Sequence, residues 1–110
     1  MNLKSTILPD RSYTYEPWPA REAGIDGLRE IVTRRAARVF YWQGHGGEDR
    51  GRLSDGTQVG GIFIDMQTAN ALVTVRDALN AKNQAGFDAK IAHSPAAFMQ
   101  MVEFSWSNVK

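Results

Sequence analysis

Residues 38–65 read RVFYWQGHGGEDRGRLSDGTQVGGIFID, and this stretch decides the class of fold. Val39-Phe40-Tyr41-Trp42 is a compact run of β-branched and aromatic residues closed off by Gly44, Gly46 and Gly47, the pattern of a buried strand. Ser54-Asp55-Gly56 divides Gly51-Arg52-Leu53 from the run Thr57 to Ile64. Asp-Gly supplies the positive backbone angles of a tight hairpin turn, so these two segments pair. Gly60 and Gly61 interrupt the last strand, where they predict a bulge or the close approach of another backbone. The expectation is a three-strand meander.

Helical spacing takes over on both sides of this stretch. Upstream, Asp26 can accept from a free amide of a first turn, and Leu28, Ile31 and Val32 follow along one stripe. Downstream, Asp65 caps a helix over 66–80 whose Ala71, Leu72, Val75, Ala78 and Leu79 share a face. Asn80 to Asn83 reads as a link, followed by a short segment with Phe87 and Ile91 one turn apart. Ser94-Pro95 places a capping hydroxyl before proline at the first helical position and starts the last helix. Residues 1–20 hold three of the four prolines and read as an arm, with an edge strand at Ser12-Tyr13-Thr14-Tyr15 and a clasp at Pro17-Trp18-Pro19 if Trp18 finds a pocket. Residues 21–110 then form a single α+β domain: a small antiparallel sheet of three or four strands in a β-meander, with about four helices packed mainly on one face.

Composition narrows the function classes. The 110 residues include no cysteine, which excludes disulfides and thiolate metal sites and favours a reducing compartment. MNLKSTILPD lacks the apolar run of a signal peptide, and no stretch has the length to cross a bilayer, so the expected location is the cytoplasm, away from membranes. Thirteen basic residues against twelve acidic give a net charge of +1, so any attraction to nucleic acid must come from a local patch.

The C-terminal helix carries the leading functional expectation. At 100° per residue, Phe98, Met99, Met101, Val102, Phe104 and Trp106 span an arc of about 220°, leaving a narrow polar strip at Gln100 and Glu103. A surface helix needs a stripe only about half that wide. Either the helix is central, sandwiched between sheet and helices, or part of its arc pairs with a second copy or another protein. Large bare apolar patches usually mark contacts, and flexible thioethers suit adaptable surfaces.

Motifs for chemistry are sparse. His45-Gly-Gly-Glu48-Asp49 sets an imidazole near two carboxylates, but the spacing matches no metal-ligand frame. His45-Gly46-Gly47 is similar to the oxyanion loop of esterases, without the Gly-x-Ser-x-Gly elbow that chemistry requires. No phosphate loop or dinucleotide fingerprint is present. His45 and His93 are the available imidazole bases, and His93 precedes a helix start, where hydrogen bonding at a helix end is its ordinary role. No catalytic residue, metal ligand or cofactor site is therefore assigned. Arg29, Arg34, Arg35 and Arg38 cluster before the aromatic strand, a surface suited to phosphates and stacked bases. Against this, Glu30 stands four residues before Arg34, the favourable orientation for an ion pair. Asp88 to Val102 resembles a helix-turn-helix, with a turn that is short and lacks glycine and a second helix offering only Gln100 to base edges.

The leading expectation is a non-enzymatic binding or accessory module acting through protein–protein contact, as a homodimer through the last helix or with a protein partner. A nucleic-acid-binding regulator using the four arginines is the alternative, and a carboxylate-based enzyme the third.

Overall fold

The computed structural model describes residues 18–108. In chain order they form β1 (Arg21–Glu22), α1 (Ile25–Arg34), β2 (Arg38–Tyr41), β3 (Asp49–Arg52), β4 (Gln58–Ile64), α2 (Met66–Asp77), α3 (Ala81–His93) and α4 (Pro95–Asn108). The class is α+β. The strand expected at Ser12–Tyr15 lies outside the described residues.

The sheet corrects two expectations. Its order is β1-β2-β4-β3, so β4, not β3, lies beside β2 and there is no meander. β1 runs parallel to β2 while the other pairs are antiparallel, so the sheet is mixed. Both departures have physical causes. β3 is Asp49-Arg50-Gly51-Arg52, with no apolar side chain to bury, and it takes the edge, where charge is tolerated. β4 brings Ile62 and Ile64 to the core and takes the interior position. The connection from β1 to β2 runs through α1, a crossover that permits parallel pairing.

The β3–β4 hairpin forms at the expected turn, with different geometry. Leu53 N donates to Thr57 O at 2.7 Å, Gly56 N donates to Leu53 O at 2.9 Å, and of the turn residues Gly56 alone has a positive φ, 92°. This is a three-residue loop with a glycine bulge, the next commonest solution after the two-residue mirror turns. Farther along, pairing stays in register from Asp49↔Gly61 to Arg52↔Gln58 and from Arg38↔Ile64 to Phe40↔Ile62. Gly60 and Gly61 therefore mark close approach and no bulge. A Cβ built on Gly61 would sit 1.8 Å from the Phe40 carbonyl oxygen, and one on Gly47 would sit 2.3 Å from Gly61 O.

The sheet also curls. Ala20 N donates to Arg52 O at 2.9 Å, joining the residue before β1 to the opposite edge. At that seam a Cβ on Gly51 would lie 2.7 Å from Ala20 Cβ and 2.9 Å from Val39 Cβ.

The helices start as their caps dictate, with one exception. Asp65 Oδ1 accepts from Thr68 N at 2.8 Å and Ser94 Oγ from Ala97 N at 3.1 Å. Asn80 is a cap and not part of a link, since its Oδ1 accepts from Asn83 N at 2.9 Å and α3 begins at the next residue. At α1 the cap is Gly24, and Asp26 stands inside the first turn, where its charge still favours the helix dipole. The core gathers Phe40, Trp42 and Ile64 from the sheet side with Leu28 and Ile31 of α1, Leu72 of α2, Ile91 of α3, and Phe98 and Val102 of α4. Phe98 packs edge-on against Phe40 and Trp42, at centroid distances of 6.2 and 5.4 Å. Trp42 Nε1 donates to Ile91 O at 3.0 Å, so the buried indole keeps its hydrogen bond. Alternate residues of β2 and β4 face the helices, leaving Val39 and Phe63 on the other side of the sheet.

Candidate functional site

The structure divides the apolar arc of α4. Phe98 and Val102 are buried in the core and Met101 packs half-buried against it, while Met99, Phe104 and Trp106 are 44%, 42% and 48% exposed. Met99 and Trp106 lie about 20° apart on the helix, and Phe104 about 160° from Trp106, so two apolar shoulders flank the buried stripe. Ser105, between them in sequence, is fully buried, and its Oγ has no hydrogen-bond partner among the described residues.

The four arginines are not brought together as one free patch. Arg29 forms a fork onto Asp77, with N–O distances of 2.7 and 3.2 Å, and ties α1 to α2. That fork, helped by Arg76, holds the Asp77 carboxyl below its usual range. Arg76 makes a second fork onto Asp88, at 2.8 and 3.0 Å, joining α2 to α3. Arg38 turns to Glu30 and to the Pro19 carbonyl, and its guanidinium lies 4.0 Å from the centroid of Trp18. Arg34 stacks at 5.0 Å from the same ring. Trp18 Nε1 donates to Ala37 O at 2.7 Å, completing the clasp. Glu30 therefore pairs with Arg38, and with Arg21 at 2.6 Å, in place of Arg34. Desolvation alone would raise the Glu30 pKa, but bonding and charge from Arg21, with those from Arg38, outweigh it and hold the carboxyl low. Burial lowers the Arg38 pKa, offset only partly by Glu30. Arg35 ends α1 in the left-handed conformation at φ 56°.

The glycine loop is a turn at the sheet end. His45 N donates to Trp42 O at 3.1 Å, and Asp49 Oδ2 accepts from Phe63 N at 2.8 Å. His93 is the exposed last residue of α3. Among the described residues no three His, Asp or Glu side chains gather as a metal site, and no helix is long and apolar enough to cross a membrane.

The seam between Ala20 and β3 borders a groove of about 540 Å³ whose walls include Trp18, Arg38, Arg50, Arg52, Leu53 and Phe63. No Asp or Glu lines it among the described residues. Sequence reading missed this site because Trp18, the β3 arginines and Phe63 are far apart in the chain. Register sets Arg50 and Arg52 beside Gly60 and Gln58, so their side chains leave β3 on the face opposite Phe63.

In comparisons with known proteins, no family model, no curated protein and no solved structure matches this chain.

Proposed function

We propose that the protein is a cytoplasmic, non-enzymatic binding module that self-associates through α4. The observation that supports this reading is the exposure of Met99, Phe104 and Trp106 on a helix whose remaining large apolar residues close the core. Removing such side chains from water contributes about 25 cal/mol per Å² of apolar surface, and each shoulder, Met99 with Trp106 on one side and Phe104 on the other, offers such surface for one contact. A symmetric dimer uses the same patch twice, so each shoulder doubles its buried surface on pairing.

Sedimentation or light scattering is the test. The wild type runs as a dimer, and Trp106→Glu or Phe104→Glu gives a monomer with an unchanged circular dichroism spectrum, because both positions are exposed in the domain. The two variants also tell the shoulders apart: the one that dissociates the dimer marks the contact. A strictly monomeric wild type at all concentrations sinks the reading.

A further inference from the structure

Independently of association through α4, we propose that the outer edge of β3 binds an extended acidic segment of another protein, which joins the sheet as a further strand with its carboxylates beside Arg50 and Arg52. The first observation is the direction of the backbone. Leu53 N donates to Thr57 O at the turn, and bonded pairs alternate from there, so Gly51↔Val59 and Asp49↔Gly61 exchange backbone hydrogen bonds. Arg50 and Arg52 alternate with them and turn their N–H and C=O groups away from β4. The bond from Ala20 N to Arg52 O shows that outward direction directly. Among the described residues, the Arg50 N–H and C=O and the Arg52 N–H have no backbone partner along this edge. Such an edge is a template for another strand.

The second observation is space. The groove of about 540 Å³ runs along this edge, with Arg50, Gly51 and Arg52 on one wall and Trp18, Pro19 and Ala20 on the other. The far wall is fixed, because Trp18 Nε1 is bonded to Ala37 O at 2.7 Å. A preformed groove loses less entropy when it closes on a ligand. At the Arg52 end the seam is tight: a Cβ on Gly51 would lie 2.7 Å from Ala20 Cβ. Side chains that the added strand turns to that face are therefore small.

The third observation is charge, and it selects the occupant. Arg50 and Arg52 are exposed and project on one face of the strand, two residues apart. Among the described residues neither has a carboxylate within ion-pairing distance, whereas Arg21, Arg29, Arg38 and Arg76 each have one. The neighbouring acids are engaged elsewhere: Asp49 accepts from Phe63 N and Asp55 from Thr57 N. Arg50 makes a long contact of 3.3 Å to Gly47 O, which leaves most of its guanidinium donors available. Pairing with β3 of a second copy sets arginine against arginine, and like charges directly opposite destabilise a sheet. Carboxylates at alternate positions of an incoming strand meet both arginines, with small residues between them on the seam side.

The experiment combines fluorescence anisotropy and residue-resolved hydrogen exchange on the full chain, with the labelled peptide Thr-Glu-Thr-Glu-Thr-Glu-Thr as probe at low ionic strength. The expected result is binding that Arg50→Glu or Arg52→Glu weakens by about 5-fold or more, as reversal of a cross-strand charge pair requires. Arg35→Glu, which changes the net charge equally away from the edge, leaves it unchanged, as do Phe104→Glu and Trp106→Glu on α4. N-methylation of one alternate set of peptide amides abolishes binding, and methylation of the other set is tolerated, because only one set faces β3. In the free protein the Arg50 and Arg52 amides exchange faster than the Gly51 amide, which is bonded to β4, and the peptide slows them. Absence of binding overturns the proposal, as does binding that both arginine variants leave intact. Tolerance of methylation in both sets overturns it too, since charge then attracts the peptide without a strand forming. Protection of the Arg50 and Arg52 amides before peptide is added also overturns it: the edge is then covered by residues 1–17 or, where protection grows with concentration, by a second copy. Both arginines are exposed, so the variants fold, and a circular dichroism spectrum verifies it.

Discussion

At the scale of single residues, Ser105 and Gly61 show how much depends on surroundings. The Ser105 hydroxyl is fully buried with no hydrogen-bond partner among the described residues, so it loses solvation and gains nothing in return. Alanine at this helical position removes the unsatisfied group and has the better helix propensity. Ser105→Ala therefore leaves stability unchanged or raises it by about 1 kcal/mol in urea unfolding. A loss of that size means that the hydroxyl is bonded after all. Gly61 is the opposite case. The atom its Cβ would strike is the Phe40 carbonyl oxygen, a backbone atom in the middle of the sheet that has no rotamer by which to yield. Gly61→Ala is expected to cost about 3 kcal/mol or more, or to abolish folding, measured by the same denaturation. Near-wild-type stability shows that the β2–β4 pairing shifts easily.

At the scale of elements, the clasp between the start of β1, α1 and β2 is held by one carboxylate serving two arginines. Glu30 receives Arg21 and Arg38, and Arg38 lies against Trp18. The folded-state pKa of Glu30 is lowered, so its stabilisation is complete above the ordinary value of 4.5 and is lost as pH falls through the lowered one. Glu30→Gln removes the charge at every pH. At pH 7 the variant is less stable than the wild type by about 1–2 kcal/mol, modest because the carboxyl is partly solvated. The gap narrows as both are acidified below the ordinary carboxylate value, because the wild-type carboxylate loses its charge as pH falls through the lowered one. Thermal melts across this range check it, and a gap constant with pH removes the ion pairs from the explanation. Sequence spacing alone pointed to Glu30 and Arg34 as partners one turn apart; the neighbouring strands supply two better-placed arginines.

At the scale of the whole molecule, the helices and curled sheet bury one large cluster, and among the described residues the shoulders of α4 stay exposed. Self-association has a thermodynamic signature beyond mass. If pairing stabilises the folded state, the melting temperature rises with protein concentration, and that dependence vanishes in the variant that dissociates the dimer. A melting temperature independent of concentration in a protein that sediments as a dimer places the contact outside the folding equilibrium and against the proposed coupling.

Periodicity and local chemistry by themselves determined the α+β class, the place of the Ser54-Asp55-Gly56 turn and the Asp65 and Ser94 caps, and narrowed Gly60–Gly61 to a bulge or a close backbone contact, of which the structure has the second. Each rests on interactions within a few residues or on a single steric fact. Strand order, the parallel β1, the partners of the arginines and the split of α4 into buried and exposed residues were decided only in three dimensions. Phe98 and Phe104 illustrate why. Both belong to the same apolar arc, and only the packing of Phe40 and Trp42 against one of them closes it off from solvent. The groove arises in the same way, because a hydrogen bond from Ala20 to Arg52 unites segments that share no pattern in the chain.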